Sequence, residues 1–191
     1  MNVLDLLNSG SKILKQNKIE THQLDSELVL SSLLKRQREN LLINLNEKVS
    51  NNTINNFEKL IFRRANKEPL AYIFKKKEFW SRDFFVDRST LIPRPETELL
   101  CESVIKIFKN KKLNILDIGA GTGCIILSII SEIKGAKGIG IDISKKAINV
   151  AKKNSHLLGL NKRVKFINKS LEDIYGYKFD LIISNPPYIK T

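Results

Sequence analysis

The sequence predicts an α/β protein in which an open, parallel, doubly wound sheet follows a small helical bundle. Three observations carry that prediction. Ile115, Leu116 and Ile118 form a short apolar run that meets glycines at 119, 121 and 123. A long apolar stretch, 124–133, follows without Gly or Pro, so the order reads strand, tight turn, buried helix. Two further β-like runs, 138–141 and 164–167, flank a helical stretch 145–158 that ends at Gly159, a suitable C′ residue. The first 64 residues instead repeat apolar side chains at helical spacing.

In chain order, Leu4, Leu7, Ile13 and Leu14 open the helical set, and Leu24, Leu28, Leu33 and Leu34 continue it. Ile54, Phe57, Leu60 and Ile61 complete it before Pro69, with an Asn-rich joint at 51–56. Residues 1–67 are therefore a helical bundle without an evident catalytic group. Residues 68–98 form a linker: 79–86 is aromatic-rich and strand-like, so 78–87 is expected to be a β-hairpin. The segment LIPRPETE (91–98) comes next, with Pro95 suited to a helix first turn and Glu96 and Glu98 complementing its dipole. Residues 99–191 carry the sheet.

The chemistry is expected at the carboxyl ends of the strands. The spacing G-x-G-x-G departs from the dinucleotide fingerprint G-x-G-x-x-G, but the turn still brings backbone, and the first N–H groups of helix 124–133, close to a ligand. Asp142 ends the second strand about 20 residues on, where a carboxylate can accept both hydroxyls of a ribose. The competing, weaker reading is that this residue caps the helix that begins at Ser144. Turn and acid together indicate a nucleoside-containing cofactor.

A fourth strand, 181–183, places Asn185 just past its end, followed by Pro186, Pro187 and Tyr188. The Asn side-chain oxygen and the Pro186 carbonyl are two acceptors for one –NH₂, and Tyr188 offers an aromatic face to a planar group. An amide nitrogen is a poor nucleophile, so gripping both of its hydrogens in line with an electrophilic methyl raises the rate. A plain loop after a strand is the competing reading of Asn-Pro-Pro.

These residues resemble the protein-(glutamine-N5) methyltransferases of peptide chain release factors, the HemK or PrmC family. The resemblance runs through most of the chain and is most specific at EPLAYI (68–73), Glu78 and Phe79, LIPRPETE (91–98), LDIGAGTG (116–123) and SNPPYI (184–189). It implies a Rossmann-like S-adenosylmethionine-dependent methyltransferase domain, incomplete here, with the amino-terminal bundle docking the release factor. It implies S-adenosyl-L-methionine as cofactor, bound by Gly119, Ala120, Gly121, Thr122, Gly123, Asp142, Leu171 and Asn185. Asn185 and Pro186 are the implied catalytic pair, and Asn185, Pro186, Pro187 and Tyr188 the implied substrate contacts. Arg94, Glu96 and Thr97 lie in a segment that borders the family's cofactor pocket.

Two departures stand out. An acid followed by Trp is common in the family after the third strand, whereas this chain has Ser170 and Leu171, so the adenine contacts are expected either to be weaker or to pass to Glu172 or Asp173. The Gly that commonly follows the linker tyrosine is also replaced, since 74–77 is bulky.

Composition narrows the rest. A net charge of +13 over 191 residues suits an anionic partner, although widely spread lysines also fit a solvated surface. Direct nucleic-acid binding is compatible with it and not required. An adenine-specific nucleic-acid methyltransferase shares NPPY, but no target-recognition domain is evident. A catalytically inactive fragment that still binds release factor is the third reading. Cys101 and Cys124 have no metal spacing and read as reduced core thiols, and His22 and His156 have no triad or metal partners. The absence of a long apolar run or a signal-peptide core predicts a soluble, cytoplasmic protein. Only four core strands precede Thr191, so the chain reads as an amino-terminal fragment or the product of an interrupted gene, with 181–183 expected on an open sheet edge.

Overall fold

The computed structural model describes residues 1–186. The chain divides into two compact units, Met1–Phe74 and Lys75–Thr191. In the first unit, helices α1 (Val3–Gln16), α2 (His22–Leu34), α3 (Arg38–Ile43), α4 (Asn51–Ala65) and α5 (Leu70–Phe74) surround a core of Leu6, Leu14, Leu30, Leu41, Phe57 and Ile61. Asn2 and Asp5 form a reciprocal capping box at the start of α1, and Ser50 caps α4. Gly10 lets α1 and α4 approach: a Cβ there would stand 2.6 Å from the Phe57 ring.

The expected leucine set is corrected on two helices. Leu4, Ile13 and Leu24 are exposed, and α2 buries Asp25, Ser26, Val29 and Leu30 instead of facing the core with Leu24. The reason is polar: Asp25 accepts from Arg64 at 2.6 Å, and the Ser26 hydroxyl donates to the Leu7 carbonyl. A helix apolar around much of its circumference does not fix its own phase, and these two partners do.

The second unit opens with the expected hairpin, β1 (Lys76–Phe79) against β2 (Arg82–Phe85). Its two-residue turn, Trp80 and Ser81, has φ of 53° and 52°, the left-handed pair that matches strand twist. A 3₁₀ turn at Pro95–Thr97 leads into α6 (Glu98–Phe108). Then β3 (Asn114–Ile118), α7 (Cys124–Glu132), β4 (Lys137–Asp142), α8 (Lys145–Leu157) and β5 (Val164–Asn168) alternate as expected, and β6 (Leu181–Ser184) follows with only a 3₁₀ turn, Leu171–Asp173, in between.

Strands β3 to β6 are parallel in the order β5-β4-β3-β6. Strand order therefore reverses at β3, whose neighbours are β4 on one side and β6 on the other. Such a switch point opens a crevice at the carboxyl ends. Ile118 pairs with both Ile141 and Ser184, so Gly119, Asp142 and Asn185 each lie one step beyond a common row. The core of this unit is the apolar α7 (Ile126, Leu127, Ile129, Ile130) with Ile115, Phe79 and Phe84. β6 is an edge strand in this sheet, with Ile182 exposed. Among the described residues no helix is long and apolar enough to cross a membrane, and no acidic, His or Cys group is arranged to hold a metal.

Candidate functional site

Backbone hydrogen bonds shape the turn after β3. The Gly119 and Ala120 amides both donate to the Ile141 carbonyl at 2.9 Å, Gly121 donates to Asp142 Oδ2 at 3.0 Å, and Gly123 donates to the Ala120 carbonyl. The expectation that α7 offers its first amides to a ligand is corrected here. The Cys124 amide is taken by the Thr122 hydroxyl, and the Ile126 amide lies near the carboxyl of Asp117. What the turn offers is an uncovered backbone edge: a Cβ on Gly119, at φ +72°, would meet nothing within 4 Å.

Asp117 is the residue that sequence reasoning passed over. It is 1 % exposed, and neither carboxylate oxygen makes a hydrogen bond of full geometry, although the Ile126 N–H faces the group. Burial pushes its pKa up to about 7, opposed by the Ile126 N–H and aided by the Asp142 charge. An acid inside an otherwise apolar strand, two residues before the first glycine, was the available signal.

Ser144, not Asp142, caps α8 by accepting from Ala147, while Asp142 Oδ1 accepts from the Ser144 amide at 2.8 Å. Two of the four carboxylate lone-pair sites are thereby occupied and two remain, the number two vicinal hydroxyls need. Asn168 fixes the backbone beside it by donating to the Asp142 and Ile143 carbonyls, each at 2.9 Å.

A cavity of about 470 Å³ extends from this point across the carboxyl ends, within the size range of small-molecule sites. Gly119, Gly121, Asp142, Leu171, Asn185 and Pro186 line it. Ile143, 83 % exposed, and Leu91 join Leu171 as apolar walls fit for a flat ring. Ile143 was not foreseen, and its exposure beside Asp142 is visible only in three dimensions. Glu172 and Asp173 do not line the cavity, and Asp173 is spent on the amide and hydroxyl of Ser170.

A smaller cavity of about 70 Å³ adjoins it, bounded by Ala120, Thr122, Arg94, Thr97 and Asn185. Gly123 borders neither cavity. Its missing Cβ makes room for the Phe166 ring, which would otherwise stand 2.7 Å away.

At the other end of the cleft, Asn185 Nδ2 donates to the Thr97 hydroxyl at 3.2 Å. That bond consumes an amide hydrogen and leaves Oδ1 as an open acceptor. Thr97 is held in turn by the 3₁₀ turn, in which its amide donates to the Arg94 carbonyl, and its neighbour Glu98 accepts from the Trp80 amide at 2.7 Å. Pro187 and Tyr188 lie outside the described residues. A second unforeseen residue ties the site together: Asn154, fully buried on α8, exchanges two hydrogen bonds with the Phe85 backbone and donates to the Thr122 carbonyl at 2.9 Å. An Asn at an apolar position of the helical repeat is the signal that could have found it. Cys101 and Cys124 are free, buried thiols, each pushed up to about 12 by burial, so neither serves as a nucleophile.

Comparison with known proteins follows the same division. Residues 5–74 match the PrmC N-terminal domain and residues 109–188 a methyltransferase domain. The chain is 37 % identical to the release factor glutamine methyltransferase of Clostridium acetobutylicum, covering 100 % of this chain and 68 % of that one. It is 38 % identical to the protein of the same name from Leptospira interrogans, covering 98 % and 67 %. The bifunctional methyltransferase of Rickettsia typhi is 38 % identical over 98 % of this chain, which spans only 40 % of that relative's length.

Proposed function

The chain belongs to the release factor glutamine methyltransferase family, and we propose that it binds the methyl donor and orients the acceptor in the methylation of a glutamine side-chain amide of peptide chain release factors. The observation that carries this reading is one juxtaposition. The uncovered Gly119 edge, the half-satisfied Asp142 carboxylate and the Thr97-bound Asn185 amide all border one cleft at the β3 switch point.

The residues fit S-adenosyl-L-methionine. Asp142 has two sites left for ribose hydroxyls, Ile143, Leu91 and Leu171 would flank the adenine, and the Gly119–Gly121 edge would take the amino-acid part. The unpartnered Asp117 carboxyl beneath the turn is the kind of group that a cationic amine nearby would favour in its ionised form. When bound, the cofactor supplies an electrophilic methyl on a positively charged sulfur.

The chain's own part is positioning. Asn185 Oδ1 and the Pro186 carbonyl accept the two N–H groups of the substrate amide, which aims the nitrogen lone pair at the methyl. Thr97 fixes which end of the Asn185 amide faces the substrate. The N–H proton leaves after the new C–N bond has formed, when the alkylated, positively charged amide is acidic enough to give it to water, so no strong base is required, and the described cleft presents none. Release factor is the protein partner, and the cytoplasm, where both thiols stay reduced, is the compartment.

The test is methyl transfer from labelled S-adenosylmethionine to release factor and, in parallel, to DNA, preceded by calorimetric titration of the cofactor. Cofactor binding with transfer to release factor alone supports the reading. Transfer to DNA would replace it with an adenine methyltransferase, and release-factor binding without cofactor affinity would replace it with an inactive docking module.

A further inference from the structure

We propose that the amino end of the parallel sheet is a docking surface for single-stranded RNA, separate from the cofactor cleft. Because the four strands run in one direction, the segments leading into them, 109–113, 134–137, 161–165 and 177–180, all arrive at one end. Those segments carry nine Lys or Arg and a single acid, Asp180, and so hold eight of the thirteen excess positive charges. The segments leaving β3, β4 and β5 at the other end, 119–123, 142–146 and 168–173, sum to zero. Lysine enrichment spread by composition alone would not sort itself by strand polarity.

The charge also surrounds a shaped feature. A cleft of about 220 Å³ is lined by Lys137, Lys162, Arg163, Lys165 and Lys178 together with Tyr177 and Phe179. Tyr177 and Phe179 stack with ring centroids 5.9 Å apart and planes inclined by 15°, and Tyr177 stays 55 % exposed. Arg163 spends its donors on the Ala136 and Ile133 carbonyls, which fixes the floor of the cleft while its charge remains. Asp180 is turned to the Asn114 amide at 2.8 Å. Among the described residues, Lys137, Lys162, Lys165 and Lys178 take part in no ion pair.

Unpaired lysines about an exposed aromatic platform match a strand whose phosphates need neutralising and whose bases are free to stack. A duplex would offer phosphates but no base face. Single strands of that kind in a cell are chiefly RNA. The strands between the two ends are five or so residues long, about 16 Å, so RNA here is held away from the methyl-transfer cleft and is not its substrate.

The test is fluorescence anisotropy of the purified chain with a labelled 12-nucleotide single-stranded RNA, the same sequence as a hairpin duplex, and inorganic polyphosphate as competitor. Single-stranded RNA is expected to bind more tightly than the duplex. With four lysines engaged, raising salt from about 50 to about 200 mM should weaken it roughly 50-fold. The pair Lys162→Glu and Lys165→Glu should weaken it at least roughly tenfold, and Tyr177→Ala roughly five- to tenfold with the salt slope unchanged. Cofactor titration of each variant, or its circular dichroism spectrum where no cofactor binds, reports whether it is folded. The proposal is overturned by equal binding of the duplex, by polyphosphate competing as well as RNA does, or by the pair Lys12→Glu and Lys15→Glu in α1 reproducing the loss.

Discussion

The two ends of the parallel sheet are built from the same strands and differ in nearly everything a ligand meets. At the carboxyl end the chain leaves β3 through glycines, bonds its own turn amides internally, and presents one half-satisfied carboxylate and one oriented amide in a near-neutral cleft. At the amino end it enters the strands through lysine-rich segments around a stacked aromatic pair. The difference teaches that the net charge of +13 is not a property of the cofactor site. Affinity for a cofactor and affinity for a polyanion should therefore be separable by single substitutions.

The largest expected effect concerns Asp117, under the carboxyl-end turn. Its folded pKa, raised to about 7 from 3.8, means that the folded state holds the proton more tightly than the unfolded chain. Its contribution is most favourable below about pH 4, is lost as pH rises from about 4 to about 7, and above that is a burial cost that the Ile126 N–H offsets only in part. Asp117→Asn should therefore stabilise the second unit above pH 7 by up to about 4 kcal/mol and flatten this part of its pH profile. Urea midpoints at pH 5 and pH 8 measure it. A variant less stable than the parent at pH 8 would show that the carboxylate has a partner.

Next in size is the amide clamp. Asn185→Ala removes the side-chain acceptor and should lower methyl transfer about 10²- to 10³-fold while cofactor affinity changes little, because the effect belongs to the reacting geometry. Asp142→Ala acts on the other half of the cleft. It should weaken cofactor binding roughly 10²-fold, as expected for hydroxyl hydrogen bonds to a charged acceptor. Neither substitution should move RNA affinity. If Asp142→Ala weakened both ligands alike, the two ends would not be independent.

How much of this was legible in the sequence follows the same geometry. The strand–glycine–helix turn, Asp142 and Asn185 were readable because strand polarity alone puts residues that follow β3, β4 and β6 at one edge. The hairpin and the alternation were readable from short-range pattern. Three things were not. The phase of α2 is decided by Arg64, 39 residues away from Asp25. Asn154 matters because it bonds Phe85, 69 residues away. The concentration of lysines at one end looked diffuse along the chain because parallel connections scatter one edge of a sheet over seventy residues. Each is a long-range pairing, which local pattern does not encode.

A smaller effect isolates the orienting role of Thr97. Thr97→Ala frees the Asn185 amide to rotate, so methyl transfer should fall about tenfold, with the loss in kcat, and cofactor affinity should hold. Thr97→Ser keeps the hydroxyl and should restore most of the rate. Equal losses in both variants would assign Thr97 to packing rather than to orientation.

The smallest effect is a null that sharpens the comparison. Surface charges attract over roughly a Debye length, about 10 Å at 0.1 M salt. The cofactor cleft is near-neutral and about 16 Å from the lysine cluster by strand length. Raising salt from about 50 to about 200 mM should therefore change cofactor affinity less than about twofold, while single-stranded RNA loses roughly 50-fold. Paired titrations on one preparation measure both. A parallel fall in the two affinities would mean that the amino-end lysines reach the cleft after all, and that the charge belongs to one continuous site.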